Sequence, residues 1–253
     1  MLLVEPIKAL SDNYIWHVHN QEYSLVVDPG DATPVMQALG NQSLVAILIT
    51  HHHWDHTNGV ARLKQQYPDI TIYGPSSCPF DLIDVRLNEG DTVKFQQLGI
   101  EFNVIEIPGH TLDHIAYFND DYVFCGDTLF SIGCGRMFEG TAAMFNGSLN
   151  KLKQLNDETK VCCTHEYTQS NITFARHIDP NNQQLGEYQN QVTKKRINNQ
   201  ASLPSTIGLE KQLNPFLNTD KTWLQQRLSQ LTKQSINDPT SAFAALRKLK
   251  DTF

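Results

Sequence analysis

The sequence predicts an α/β protein in which sheets are layered with helices, followed by a helical C-terminal segment. Nine short segments in the first two-thirds are rich in β-branched and aromatic residues and are bounded by Gly, Pro, Asn or Asp, which is typical of strands. Helix-like stretches lie among them at 33–39, 59–67 and 142–155. Many strands with interspersed helices indicate a two-layered or sandwiched α/β core. The predicted strands are LLVEPI, YIWHVH, SLVVD, VAILIT, ITIYG, IEFNVIEI, IAYFN, YVFCG and KVCCT.

The composition and the periodicity of the sequence change near residue 168. Strand signals vanish there, and Gln, Asn, Lys and Leu recur at helical spacing; Leu224, Leu228 and Leu231, for example, can line one face of a helix. We therefore predict two domains, a catalytic domain at 1–167 and a helical subdomain at 168–253.

The composition of the chain disfavours several classes of protein function. The chain of 253 residues has 20 Lys and Arg against 27 Asp and Glu, a net charge of −7, which argues against a general nucleic-acid binder. No apolar run approaches the ~20 residues that span a bilayer, and the N-terminus reads as a strand and turn rather than a secretory signal. The five cysteines have no disulfide-framework spacing, which favours reduced thiols. We expect a cytoplasmic monomer that binds neither nucleic acid nor membrane.

The strongest chemical signal is the segment Ile49–His56, ITHHHWDH, directly after an apolar run. A buried strand that ends here delivers the following loop to the edge of a sheet, where open α/β folds place their sites. The segment offers His51, His53, Asp55 and His56 as candidate ligands. Imidazole and carboxylate groups suit Zn, Fe or Mn, and the lack of clustered thiolates argues against a closed structural zinc site.

Further ligand-type residues follow later strands. His110 comes after IEIPG, Asp127 after VFCG and His165 after VCCT, each with an apolar strand behind it. A histidine run alone could be a solvated turn or a surface cluster that binds metal adventitiously. Three repetitions of one strand-then-ligand arrangement favour a metal centre.

Three neighbouring residues are predicted not to be ligands. His52 lies between ligands and faces away if the loop alternates, and His114 is more typical of a structural histidine at the start of a strand. Asp28, which ends the strand SLVVD, is either an acceptor for a ligating imidazole or a turn-former.

This pattern resembles the metallo-β-lactamase superfamily, whose signature is His-x-His-x-Asp-His followed by His, Asp and His on later loops. The resemblance implies an αββα sandwich with a binuclear site. It places the first metal on His51, His53 and His110, and the second on Asp55, His56 and His165. Asp127 would bridge the two ions. Zn is the expected metal because it needs no redox control, although Fe and Mn accept the same ligands.

Two cations a few Å apart can share a hydroxide and polarise a carbonyl, which removes the need for a Ser or Cys nucleophile. No Gly-x-Ser-x-Gly motif is present in the chain. The expected chemistry is hydroxide attack on an electrophilic carbonyl, with Asp55 and Asp127 as the catalytic residues that orient the hydroxide.

Segments outside the ligand set resemble the hydroxyacylglutathione hydrolases, the glyoxalase II family. The similarity runs almost end to end, including the helical tail. The segments that carry it are LSDNY at 10–14, GDTLF at 126–130, GCGR at 133–136, FEGT at 138–141, THEYT at 164–168, FARH at 174–177 and LRKLKD at 246–251.

The resemblance implies hydrolysis of S-(2-hydroxyacyl)glutathione, chiefly S-D-lactoylglutathione, to glutathione and D-lactate, the second step of methylglyoxal detoxification. Arg247 and Lys250, three apart on a predicted helix, could share one face and hold a carboxylate. Without the family resemblance, the pair Arg247 and Lys250 is more typical of a solvated basic helix end than of a binding site. The residues that match the family's glutathione contacts are Arg136, Phe138, Tyr167, Arg247 and Lys250.

Two of these positions depart from the family. Lys is frequent where this chain has Arg136, and Tyr where it has Phe138. Arg keeps the charge but changes the hydrogen-bond geometry, and Phe138 lacks a hydroxyl that could donate to the peptide part of glutathione. We expect weaker substrate binding with intact chemistry.

Three alternative functions are compatible with part of these features. A glutathione persulfide dioxygenase of the same superfamily needs one iron only, so a complete second ligand set disfavours it. A phosphodiesterase or RNA-processing nuclease is disfavoured by the acidic balance. A non-catalytic metal-binding module is disfavoured by coordination positions left open for water and substrate.

Overall fold

The computed structural model describes all 253 residues. The strands are β1 (Leu3–Ala9), β2 (Asn13–His19), β3 (Tyr23–Val27), β4 (Ser43–Leu48), β5 (Thr71–Pro75), β6 (Val85–Leu87), β7 (Thr92–Phe95), β8 (Ile100–Glu106), β9 (Ile115–Phe118), β10 (Tyr122–Gly126), β11 (Leu129–Phe130), β12 (Gly133–Cys134), β13 (Lys160–Cys163) and β14 (Ser205–Thr206). The helices are α1 (Ala32–Leu39), α2 (Trp54–Thr57), α3 (Val60–Gln66), α4 (Ala142–Lys153), α5 (Thr168–Ile178), α6 (Gln183–Ile197), α7 (Ile207–Leu213), α8 (Thr222–Thr232) and α9 (Pro239–Asp251), with a 3-10 turn at Pro215–Leu217.

The chain forms two compact units. Unit 1 comprises Met1–Glu106, Asp113–Gly126 and Cys162–His165, and unit 2 comprises Ile107–Leu112, Asp127–Val161 and Glu166–Phe253. Segment 127–161 belongs to unit 2 because its helix α4 packs on α9, with the Phe145 and Phe243 rings 5.2 Å apart. The division into domains 1–167 and 168–253 stays a prediction.

The first sheet lies in unit 1 and has the order β1-β2-β3-β4-β5-β6. Its first three strands pair antiparallel, whereas β3, β4, β5 and β6 pair parallel. Strand β4 is apolar along most of its length, as expected for a parallel strand that is covered on both faces. The parallel part therefore brings the carboxyl ends of β3 and β4 to one edge.

The second sheet has the order β14-β13-β10-β9-β8-β7. Within unit 1, it faces the first sheet through aromatic contacts: Tyr73 lies 5.6 Å from Phe95, and Trp16 lies 6.3 Å from Phe124, between ring centroids. The buried Tyr117 hydroxyl donates to the Ile49 carbonyl, 2.9 Å away. These contacts form the two-sheet core that the sequence predicts.

The other face of the first sheet is covered by α1 and α3. Val35, Leu39 and Leu63 are fully buried in one cluster with Val26 and Ile47 of the sheet. Asp31 caps α1 by accepting from the Thr33 amide, 2.8 Å away.

Unit 2 contains the C-terminal helices and a short hairpin formed by β11 and β12. One apolar cluster joins Ile132 of the hairpin turn to Ile172 of α5, Leu185 and Val192 of α6 and Leu213 of α7. The helical character predicted beyond residue 168 is confirmed for α5 to α9.

Candidate metal centre

The His51–His56 segment follows β4 at the carboxyl edge of the parallel strands, as predicted. Thr50 ties it to the end of β3, because its amide and its hydroxyl both donate to the Asp28 carboxylate, at 2.8 and 2.7 Å. Gly30 lets the β3 loop approach closely: an added Cβ would overlap the Asp55 carbonyl oxygen and lie 2.6 Å from the Asp55 carbonyl carbon. The loop after β3 therefore fixes the position of the histidine segment.

Asp55, His56 and His165 form one cluster in unit 1. The Oδ2 atom of Asp55 lies 3.6 Å from Nε2 of His56 and 3.5 Å from Nε2 of His165. The three potential ligand atoms lie within 4.8 Å of one another. Ligands about 2.0–2.2 Å from one tetrahedral zinc lie about 3.3–3.6 Å apart, so these separations suit a shared ion.

A second layer of carboxylates orients these imidazoles. Nδ1 of His56 lies 3.0 Å from Oδ2 of Asp28, and Nδ1 of His165 lies 2.7 Å from Oδ1 of Asp12. A proton on each Nδ1 places the lone pair on Nε2, which faces Asp55. The side-chain amide of Asn13 donates to Asp55 Oδ2 at 3.0 Å and so orients that carboxylate as well.

His51 and His53 form a second pair in unit 1. Nε2 of His51 lies 3.1 Å from Nδ1 of His53. The Thr50 hydroxyl donates to Asp28, so it accepts from Nδ1 of the fully buried His51, 3.0 Å away. This arrangement turns Nε2 of His51 towards His53.

His110 and Asp127 lie together in unit 2. Nε2 of His110 is 3.5 Å from Oδ2 of Asp127, and Nδ1 of His110 donates to the Arg136 carbonyl at 2.7 Å. Gly135 packs closely against both residues, since an added Cβ would overlap the Asp127 carbonyl oxygen and lie 3.0 Å from Nδ1 of His110. The segment after β12 thus fixes the ring of His110.

The donor set fits a divalent metal. The clusters combine imidazole nitrogens and carboxylate oxygens, and the Nδ1 atoms of His51, His56, His110 and His165 face protein acceptors while the Nε2 atoms face other potential ligands. That is the arrangement seen around protein-bound metals, where an outer acceptor fixes the tautomer of each ligating histidine.

Asp28 accepts from Nδ1 of His56, which is one of the two roles predicted for it. That His52 and His114 are not ligands stays a prediction. Nδ1 of His52 donates to Oδ1 of Asp113 at 2.9 Å, and the His52 side chain is 26% exposed. His114 is buried and stacks on His51, with ring centroids 4.4 Å apart, and its Nδ1 lies 3.1 Å from the Ile115 carbonyl. His114 therefore supports the ring of His51.

Asp12 and Asn13 lie in the segment LSDNY, which carries part of the family resemblance, but no role in the site was predicted for either residue. Asp12 lies between β1 and β2, and Asn13 begins β2; a backbone bridge joins Asn13 to His165, more than 150 positions later in the chain. The polar run Ser11-Asp12-Asn13 between two apolar strands was a readable signal, but nothing in the sequence connects it with His165.

The residues predicted to contact substrate differ widely in exposure. Arg136 and Phe138 are largely exposed, at 67% of the side chain and 62% of the residue. The Phe138 ring lies 5.2 Å from that of His110, beside a potential ligand. Tyr167 is partly exposed and meets the Phe130 ring edge-on at 5.4 Å.

Arg247 and Lys250 occupy α9 but have different environments. Arg247 is buried, and its guanidinium donates to the Cys134 and Gly135 carbonyls at 3.0 and 3.3 Å and to Asp251 at 2.9 Å. Lys250 lies over the Phe174 ring, and burial together with the nearby Arg247 charge lowers its pKa to about 8. Arg247 thus holds the end of β12, and its role as a substrate contact stays a prediction.

We expect Asp28→Asn to weaken metal binding about 10- to 100-fold, the usual effect of removing an outer acceptor. Asn keeps the size of the side chain and tolerates the left-handed backbone of residue 28, whose φ is 54°. Its amide group, however, faces Nδ1 of His56, so the ring must place its proton on Nε2. Metal affinity measured by chelator competition checks this prediction. Asp31→Asn is the matched control, because Asn also caps helices well; equal affinities in the two variants would contradict the prediction.

Comparisons with known proteins agree with this geometry. The family model described as metallo-beta-lactamase superfamily matches residues 11–165, and the one described as hydroxyacylglutathione hydrolase C-terminus matches residues 166–253. The hydroxyacylglutathione hydrolases of Nitrosomonas eutropha and Pseudoalteromonas translucida are each 48% identical to this chain, over 255 and 261 residues, and each alignment covers 100% of both chains. The chain belongs to the hydroxyacylglutathione hydrolase family.

Membership of the hydroxyacylglutathione hydrolase family confirms the predicted fold class. The crystal structure of ETHE1 from Myxococcus xanthus is 23% identical, with a TM-score of 0.65 over 99% of each chain, and it shares the fold. The protein therefore has the metallo-β-lactamase fold with a C-terminal helical region, and it is a metal-dependent hydrolase. None of its helices combines the length and the apolar character that crossing a bilayer requires.

Proposed function

We propose that this protein hydrolyses S-(2-hydroxyacyl)glutathione thioesters, chiefly S-D-lactoylglutathione, to glutathione and the hydroxy acid. The observation that carries the proposal is the full-length identity of 48% to relatives named hydroxyacylglutathione hydrolase. The reaction adds water across the thioester: oxygen bonds to the acyl carbon, the carbon–sulfur bond breaks and the thiol sulfur takes up a proton.

We further propose two divalent metals per chain, with zinc as the resident ion. His51, His53 and His110 would hold the first, Asp55, His56 and His165 the second, and Asp127 both. When bound, such ions lower the pKa of a coordinated water and polarise a carbonyl oxygen.

The carboxylates of Asp55 and Asp127 are the proposed catalytic groups. Asp55 is held by the Asn13 amide at 3.0 Å, and Asp127 is buried beside His110. Each carboxylate has two oxygens, so one can bind an ion while the other accepts a hydrogen bond from the attacking water and orients it. The support for this role is the position of Asp55 between His56 and His165, and that of Asp127 beside His110.

Glutathione is proposed to bind against Arg136, Phe138, Tyr167, Arg247 and Lys250. The exposed Arg136 and the half-buried Lys250 are cations suited to the carboxylates of glutathione. Because the pKa of Lys250 is about 8, most molecules carry this charge at pH 7 and lose it above pH 8. We therefore expect KM to rise as the pH rises through 8.

The proposal is tested by thioester hydrolysis, followed through the loss of thioester absorbance, with metal-loaded and chelator-treated protein. We expect turnover of S-D-lactoylglutathione by the loaded protein alone, with two metal equivalents by elemental analysis. A β-lactam, bis-(nitrophenyl)phosphate and glutathione persulfide with oxygen uptake serve as comparison substrates. Fully loaded protein that leaves the thioester intact would refute the proposal.

We expect Phe138→Tyr to lower KM for the glutathione thioester with little change in kcat. The side chain is exposed beside His110, so an added hydroxyl can donate to the peptide part of glutathione without repacking a core. One hydrogen bond of about 0.5–1.5 kcal/mol corresponds to a decrease of about 2- to 12-fold. Steady-state kinetics of the two proteins checks this, and an unchanged or higher KM would count against it.

A cytoplasmic monomer is also proposed. All five cysteines are buried and none forms a disulfide, which suits a reducing compartment. Light scattering coupled to gel filtration tests the oligomeric state, and cell fractionation tests the location.

A further inference from the structure

The hairpin between β11 and β12 contains an unfavourable backbone conformation. Its turn is Ser131-Ile132, and Ile132 has a φ of 58°. A β-branched residue rarely adopts this left-handed region, so the surrounding contacts must hold it there. Both turn residues are almost completely buried, and those contacts come from the C-terminal helices of unit 2.

Glu210 of α7 and Asn214, just after α7, supply these contacts. Oε2 of Glu210 accepts from the Ile132 amide at 2.7 Å. The Asn214 amide donates to the Phe130 carbonyl at 3.2 Å, to the Gly133 carbonyl at 3.0 Å and to Oε2 of Glu210 at 2.9 Å. Glu210 and Asn214 are both fully buried. Together they bind the backbone of the turn and of both strands.

The two ends of this hairpin reach proposed metal ligands. Asp127 precedes β11 by two residues, and Gly135 after β12 packs against the Asp127 backbone. The next carbonyl, that of Arg136, accepts from Nδ1 of His110 at 2.7 Å. A displacement of the hairpin therefore moves Asp127 directly and removes the acceptor that orients His110.

We propose that Glu210 is a positioning residue: by holding the Ile132 turn from α7, it keeps the hairpin where Asp127 and the Arg136 carbonyl set the geometry of the metal ligands. The inference rests on the proposed function only in taking His110 and Asp127 as ligands. It gives the C-terminal helices a part in metal binding, in addition to their proposed contacts with glutathione.

The charge of Glu210 is not required for this role. Burial raises the pKa of Glu210 to about 7. Hydrogen bonds from the Ser205 hydroxyl, the Ile132 amide and the Asn214 amide oppose this rise. The hairpin itself contains the Cys134 thiol, whose pKa burial raises to about 11. The hairpin also contacts Tyr188 of α6, whose hydroxyl lies 3.1 Å from that of Ser131, and Arg247 of α9, which binds the Cys134 carbonyl. A glutamine keeps an acceptor oxygen for Ile132, so it is the conservative variant.

The test compares Glu210→Leu, Glu210→Gln and the control Thr219→Val in full-length protein. Thr219→Val removes a buried hydrogen bond to Asn146 of 2.8 Å that does not involve the hairpin. After removal of metal, Co²⁺ is titrated and followed by its visible absorption. We expect the Kd for Co²⁺ to rise about 10- to 100-fold in Glu210→Leu, with a changed spectrum, and to stay unchanged in Glu210→Gln and Thr219→Val.

A Kd for Glu210→Leu equal to that of Thr219→Val would overturn the proposal, and so would loss of binding in Glu210→Gln equal to that in Glu210→Leu. If Glu210→Leu does not fold, Asn214→Ser is titrated instead, with the same expectation and the same overturning result. The Co²⁺ readout needs no thioester. Inactivity of the wild-type protein towards glutathione thioesters would therefore refute the proposed function and leave this inference to be decided by the titration.

Discussion

Replacing Asp127 by alanine is expected to lower kcat/KM for the glutathione thioester at least about 1,000-fold, which corresponds to about 4 kcal/mol of transition-state stabilisation. Asp127 is 6% exposed, and its Oδ2 lies 3.5 Å from Nε2 of His110. The variant loses the carboxylate proposed to contact both ions, so we also expect a lower metal content. Steady-state kinetics and elemental analysis measure the two effects.

The matched control for Asp127→Ala is Asp121→Ala, which removes an exposed carboxylate from the turn before β10. We expect the control to keep wild-type activity and both variants to keep the wild-type circular dichroism spectrum. Full activity of Asp127→Ala would refute the assignment of Asp127 and the binuclear arrangement with it.

Gly30→Ala is expected to remove most of the bound metal and to destabilise the protein by about 1–3 kcal/mol or more, as overpacking of a close contact does. The added Cβ would meet the Asp55 backbone, and two backbones cannot both stay in place. The loop that carries Asp55 and His56 must therefore shift, which changes its distances to His165. Thermal unfolding and metal analysis of the purified variant measure the result.

Gly147→Ala is the control for this variant. Gly147 lies in α4 and a Cβ there would meet nothing within 4 Å, so Ala is expected to stabilise the helix by up to about 1 kcal/mol. A Gly30→Ala protein with wild-type Tm and full metal content would show that the β3 loop does not position the histidine segment.

The fold was predictable where strands are long and continuous. The nine predicted strands correspond to β1 to β5, β8 to β10 and β13. Strand β7, TVKF, was missed although its residues alternate between exposed and buried, because four residues give a weak period-2 signal. The hairpin of β11 and β12 has two residues per strand and depends on Glu210 and Asn214, about 80 positions later, so no local pattern predicts it.

The candidate ligands were predictable because each follows an apolar strand, and strand ends are readable from local sequence. The residues that orient the candidate ligands were harder to predict. Asp28 was recognised because it ends a strand, whereas Asp12 is identified by its distance to His165, which only the folded chain brings near. The burial of Arg247 was not predictable either, since helical spacing gives the face of α9 but not the Cys134 and Gly135 carbonyls that face it.

The outer acceptors of the imidazoles have a consequence for how the protein acquires its ions. The imidazole rings are held by hydrogen bonds within the protein, which they make to Asp28, Asp12, Thr50 and the Arg136 carbonyl. Little conformational entropy is then lost when an ion enters, unlike in zinc fingers, where metal capture and folding are one event. The apoprotein should remain folded, and the ion it takes up should follow affinity and supply, with copper outcompeting zinc at equal free concentration.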